Sequence, residues 1–341
     1  MRASILRTTA SLALLLAFCA LLERARAESA APLELERTIA LVNTSGRIDH
    51  MAVDLARKRL FVAELGNGTV DVVDLASGTV VRRIKGLREP QGVGYSDKAD
   101  LLVVASAGDG SVRFYSGADM SPVASLSLGD DADNVRIDPR TGNVVVGYGS
   151  GGLAIIEPVT RDKIADITLP GHPEGFQIDA ASGTAFVNIP DNHQIAIVDL
   201  TTGRTAAVWR VPGIGGNFPM AFAPSENLVA AVFRSPPRLI LIDAGKGNVI
   251  GTFQSCSDAD DVFFDDRRKR IYVSCGSGEI DAWQREASGY RPMPATATDG
   301  SARTSLFVPE FDRLFVARRA GLLGSTGSIG VYRATTDKSP Q

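Results

Sequence analysis

Four acidic residues, Asp49, Asp133, Glu174 and Asp260, stand 84, 41 and 86 residues apart, and their next neighbours are His50, Asn134, Gly175 and Asp261. Carboxylates gathered in one place raise one another's proton affinity unless a cation or a basic group offsets them. An oxygen-rich set of Asp49, Asp133, Asn134, Glu174, Asp260 and Asp261 suits a hard divalent cation such as Ca2+. A nitrogen from His50 or His172 would turn the preference toward a transition metal, and the same two histidines are the candidates for moving a proton if the ion activates water. The plainer role for each acid is to accept backbone hydrogen bonds and shape a turn, a device that a repeating chain copies many times.

For these residues to meet, the chain must repeat. Seven segments follow one plan: DHMAVDLARKRLFVA, PQGVGYSDKADLLVVA, DNVRIDPRTGNVVVG, EGFQIDAASGTAFVN, PMAFAPSENLVAAV, DDVFFDDRRKRIYVS and TSLFVPEFDRLFVA. Aligned on the turn residues Asp54, Ser96, Asp138, Asp179, Pro224, Asp265 and Pro309, they succeed one another at 42, 42, 41, 45, 41 and 44 residues. Each unit continues into a third alternating strand, such as GTVDVVDL or HQIAIVDL, and a more polar fourth. Units of this length, each a small sheet that buries its faces only against its neighbours, predict an all-β fold, a seven-bladed β-propeller. The last unit runs out before a fourth strand. LERTIALV, residues 35–42, has the alternation of an outer strand and is predicted to complete the last blade, closing the ring and covering its edge.

The register places Asp49, Gln91, Asp133, Glu174, Pro219, Asp260 and Thr304 at equivalent blade entries, expected to ring one mouth of the axial channel. The ends of the second strands, with Asn188, Arg234, Cys275, Arg318 and Arg319, are expected to face the same mouth. Gln91, Asn188, Arg234 and Arg318 are therefore the expected ligand contacts. The arginines either pair with the acids or receive a carboxylate or phosphate. No Ser-His-Asp set stands out, and the glycine-rich run 147–152 falls at a hairpin.

The repeated apolar strand, D-x-x-x-x-R/G turn, L-F/Y-V-A/S strand and I/V-D-L with a T-G turn resembles the YVTN-type repeats of the YncE-like periplasmic propellers, over residues 35–335. That resemblance implies an exported protein that binds a ligand or partner, or serves as a scaffold, through its axial mouth and face loops. A second resemblance is to the regucalcin and gluconolactonase propellers, which hold a divalent metal on the axis through Glu, Asn and Asp. Glu174-Gly175, Asn134 and Asp260 or Asp261 look similar, which implies a metal-dependent hydrolase of lactone-like substrates as the alternative. An accessory subunit of a periplasmic redox enzyme is a further alternative.

Arg2 and Arg7, an apolar run from Ala10 to Leu22 and Ala25-Arg26-Ala27 read as a cleavable signal peptide, residues 1–27. A short linker at 28–34 and a polar tail at 336–341 would flank the single propeller domain. A periplasmic or secreted product is expected, and no later segment is apolar for the roughly 20 residues that a spanning helix needs. Cys256 and Cys275 then remain as an even pair in an oxidising compartment, and a structural disulfide is expected. A net charge of -3 gives no reason to expect nucleic acid or an anionic membrane. The basic runs Arg57-Lys58-Arg59 and Arg267-Arg268-Lys269-Arg270 read as solvated turns. The expected partner is a small-molecule ligand or a periplasmic protein, and the expected state is a monomer.

Overall fold

The computed structural model describes residues 31–321 and 326–335. The expected signal peptide and the polar tail lie outside the described residues. Within them the chain is all-β, with seven antiparallel sheets following one another in sequence order. Blade one is Met51–Asp54, Arg59–Glu64, Thr69–Asp74 and Thr79–Lys85, each strand pairing with the next. Blades two to five repeat this meander, blade six adds a short segment, Thr296–Ala297, against its third strand, and blade seven takes its outer strand from the segment before blade one.

Burial explains the pattern within each unit. The second strand is covered on both faces by neighbouring blades, so it reads as a continuous apolar run; all six residues of Leu101–Ser106 are buried. The outer strand, such as Pro122–Ser127, has only one covered face and stays largely exposed. The core is a set of layers between blades: Phe61, Val70 and Val72 pack on Val93, Leu102 and Val104 of the next blade. Each such side chain contributes about 1.5–3 kcal/mol by leaving water.

The ring closes as the sequence predicts. Leu33–Leu41 pairs with Gly327–Ala334, placing Ile39 opposite Ile329, and forms the outer strand of a sheet completed by Arg313–Arg318 and Ser305–Val308. Ile39 and Leu41 bury against Leu60 and Val62 of blade one, so the seam joins the two ends of the chain through the same packing that joins any two blades.

The turn aspartates behave as turn formers: Asp54, Asp138, Asp179 and Asp265 accept backbone N–H groups two or three residues on, at 2.9–3.1 Å. The expectation of solvated basic turns fits Arg267, whose side chain is 66% exposed. It also fits Arg57, Lys58 and Lys269, which are exposed, but needs correction at Arg268 and Arg270. Arg57 bridges Asp54 to Asp100 of the next blade, Arg268 bridges Asp265 to Asp312, and Arg270 is buried with its guanidinium donating to Gln284 and to the Thr335 carbonyl. These cations are ties between blades. Cys256 and Cys275 are bonded, with Cα atoms 5.9 Å apart, which fixes the entry of blade six to the end of its second strand.

Candidate functional site

At the entry of the blades the inner strand carries a bulge. In blades two, three, five and six two residues oppose one on the second strand: Gln91 and Gly92, Asp133 and Asn134, Phe218 and Pro219, and the extra Asp260. Blades one and four do the same by backbone bonding, since Asp49 N–H donates to the Ala63 carbonyl while Ala63 N–H donates to that of His50, and Glu174 and Gly175 share Asn188 likewise. A bulge breaks strict alternation and re-aims side chains. Two consecutive residues of one strand can therefore both face the axis, as Asp133 and Asn134 do. Close approach of neighbouring entries demands glycine at Gly92, where a Cβ would lie 1.7 Å from the Asp133 carbonyl oxygen.

The result is an axial cavity of about 270 Å3 to which all seven blades contribute, among them Asp49, Gln91, Asp133, Glu174, Arg234, Asp260 and Arg303. Its charges fall into two sectors. On the side of blades five, six, seven and one, acids meet cations. Arg234 Nη2 lies 2.5 Å from Asp260 Oδ1, Arg303 Nε lies 3.1 Å from Asp260 Oδ2, and Arg47 Nη2 lies 2.7 Å from Asp49 Oδ2. Arg234 also stacks 3.8 Å over the ring of Phe218. His50 Nδ1 is 3.2 Å from Asp49 Oδ1 and 3.9 Å from Asp133 Oδ1. Burial works against the His50 cation, but the hydrogen bond and charge of Asp49, with Asp133 and Asp261, overcome it and lift its pKa to about 10. Burial likewise opposes the Asp49 anion, yet His50, Arg47 and Arg303 hold its pKa below the usual range.

On the side of blades three and four no arginine or lysine lies within 4 Å of Asp133 or Glu174 among the described residues. Burial, reinforced by neighbouring carboxylates, lifts both to about 7. Asp261, which accepts the Ser305 N–H at 2.6 Å, is lifted to about 7 by burial and by Asp260. Asp133, His172 and Glu174 each offer a donor atom within 4.8 Å of the others. His172 Nδ1 lies 2.6 Å from the Gly149 carbonyl oxygen and 3.6 Å from Asp131 Oδ2.

Of the residues singled out by sequence, Asp49, His50, Gln91, Asp133, Asn134, His172, Glu174, Arg234, Asp260 and Asp261 all line this cavity. Asn188 and Arg318 do not. The Asn188 amide is fully buried and donates to the Phe218 and Pro219 carbonyls at 2.9 and 3.2 Å, while its oxygen accepts from Asn217. Arg318 pairs with Asp299 and donates to Thr38. Sequence reasoning missed Arg47, Asp131, Arg136 and Arg303, all of which line the cavity. Arg136 carried a legible signal, because the position two before the turn holds Ala52, Gly94, Gln177, Phe222, Phe263 and Phe307 in the other units. Its guanidinium lies 5.5 Å from the centre of the Phe176 ring, and burial lowers its pKa.

No family model matches the chain, and no curated protein matches it. Solved structures do. A chain described as Kuenenia stuttgartiensis hydrazine synthase superposes with a TM-score of 0.74 at 13% identity, over 87% of this chain and 99% of that one. A chain from a crystal structure of a mitotic checkpoint complex superposes with a TM-score of 0.75 at 15% identity, over 89% of this chain and 92% of that one. This likeness is one of fold alone.

Proposed function

We propose that the protein is an exported binding propeller, YncE-like in kind, that takes a small polar ligand into its axial mouth. The observation that carries this reading is that residues lining the cavity hold buried polar atoms without a hydrogen-bond partner in the protein, among them Asp133 Oδ1, Asn134 Oδ1 and Arg47 Nε. Leaving such an atom unpaired costs about 1–3 kcal/mol, and a bound ligand that supplies the partner recovers it. The cavity is sized for a small molecule rather than for a peptide or a nucleic acid strand.

Isothermal titration of the chain from Glu28 onward against acetate, malate, citrate, glycine and glucosamine tests this. Binding of at least one of them, weakened tenfold or more by Asn134→Leu or Arg303→Ala, supports the reading. Binding that both substitutions leave untouched would move the site elsewhere and sink it.

A second reading, a metal-dependent hydrolase of lactone-like substrates, is favoured by the grouping of Asp133, His172 and Glu174. In it the cation polarises the ester carbonyl and His50 or His172, both lining the cavity, moves the proton. Base uptake at constant pH in the presence of δ-valerolactone measures that activity directly.

A further inference from the structure

We propose that Asp133, His172 and Glu174 form a centre for a divalent transition-series cation, Zn2+ or Mn2+ in class, on the blade three and four side of the axial mouth. The inference rests on the reading of that mouth as a ligand site and names the ion it holds.

Three observations on different atoms converge. The first is proximity: one donor from each of the three side chains lies within 4.8 Å of the other two. Donors around one tetrahedral ion, each at about 2.1 Å, stand about 3.4 Å apart, so binding would draw these side chains closer together.

The second is the state of the histidine. A carbonyl oxygen only accepts, so the 2.6 Å contact between His172 Nδ1 and Gly149 O requires the proton on Nδ1. The lone pair of the neutral ring is then on Nε2. A ligating histidine that donates its other N–H to a backbone carbonyl is the arrangement that fixes both tautomer and ring direction at metal centres.

The third is two orphaned oxygens on this side of the mouth; Asp49 Oδ1 and Oδ2 also lack a hydrogen-bond partner, but Arg47 and His50 lie against them. Asp133 is 5% exposed and Asn134 is 1% exposed, both line the cavity, and Oδ1 of each lacks a hydrogen-bond partner in the protein. A cation beside them supplies what the protein does not.

Three other acids of the mouth already face a cation or an N–H of the protein, and Asp131, with a half-exposed side chain, lies on the Nδ1 side of His172 at 3.6 Å. Asp49 has Arg47 and His50, Asp260 has Arg234 and Arg303, and Asp261 accepts the Ser305 N–H. This selects three donors from the wider acidic ring. One imidazole nitrogen with two carboxylates favours a borderline ion over Ca2+, which prefers six to eight oxygens. Three protein donors leave further positions open toward the cavity, where a ligand's own oxygen can complete the shell.

The experiment is equilibrium dialysis of the chelator-stripped chain against micromolar ZnCl2, MnCl2 or CaCl2, with bound metal measured by mass spectrometry. About one equivalent of Zn2+ or Mn2+ is expected, with Ca2+ at least tenfold weaker. Asp133→Asn with Glu174→Gln, near-isosteric changes, should weaken binding at least tenfold, as should His172→Ala. His193→Ala, which removes an exposed histidine, should change nothing. Circular dichroism and melting of each variant establish that it is folded. No retained ion in the parent chain, or equal retention by the folded double variant, would overturn the centre. If one of the small molecules above still bound in an Asn134- or Arg303-dependent way, the ligand site would stand without the ion.

Discussion

Arg234 and Asp260 meet across the joint between blades five and six, Nη2 to Oδ1 at 2.5 Å, and the same guanidinium donates through Nε to the Ala259 carbonyl at 2.8 Å. One side chain thus holds both a carboxylate and the carbonyl next to the blade six bulge, while its face covers Phe218. An arginine from the end of one blade's second strand sets the shape of the next blade's entry.

Arg234→Ala should therefore destabilise the fold by about 2 kcal/mol, since Asp260 keeps Arg303 but loses its shorter partner and the Ala259 carbonyl loses its donor. Asp260→Asn should cost less, because the amide still accepts from Arg234. Urea denaturation midpoints of the two variants test the order; equal midpoints would mean that the pair is solvent-balanced.

The Cys256–Cys275 bond closes a loop with a sequence separation of 19 residues. On chain-entropy grounds its loss should cost about 3 kcal/mol. Replacing both cysteines with serine should lower the unfolding free energy from urea denaturation by that amount, and treating the parent chain with a reductant should reproduce the loss.

Ile39 is buried in the seam between the chain's two ends, opposite Ile329. Ile39→Ala should cost about 2–5 kcal/mol and should open the Leu33–Leu41 strand first. Limited proteolysis should then cut the variant near residue 42 before any other blade, whereas uniform digestion would show that the strand adds little to closure.

Glu64 gives a pH dependence away from the mouth. It is fully buried and accepts from Thr44, Asn67 and Thr69; burial, with Asp71 nearby, lifts its pKa from 4.5 to about 7. The folded state then holds this proton more tightly than the unfolded one, so the stabilisation is full below 4.5 and is lost as pH rises through 7. Up to about 3 kcal/mol is at stake. Glu64→Gln should flatten the fall in stability between pH 5 and pH 8 relative to the parent chain; parallel profiles would remove Glu64 as a cause.

The repeat made the architecture readable, because the turn residues Asp54 to Pro309 mark every blade and LERTIALV had no other partner than the unfinished last unit. The ring of entry residues was readable by the same register. What the register hid came from the bulges. It treats the strand as strictly alternating, whereas a bulge frees backbone carbonyls that must be satisfied. Asn188 is drawn into that work at Phe218 and Pro219 and so leaves the mouth. Arg47, Asp131 and His172 share one register position two residues upstream of the entry acids, and Asp258 and Asn217 share it too; extending the alignment by those two residues would have found Arg47 and Asp131. The pairing of acids with arginines depends on contacts between blades, and no local pattern encodes it.

The most direct measurement is anomalous X-ray scattering at the zinc edge from crystals of the chain soaked in ZnCl2. The account predicts a peak in the axial mouth, about 2.0–2.2 Å from His172 Nε2 and from one oxygen each of Asp133 and Glu174. Zinc bound only at surface histidines such as His193, with no peak among those three residues, would contradict it.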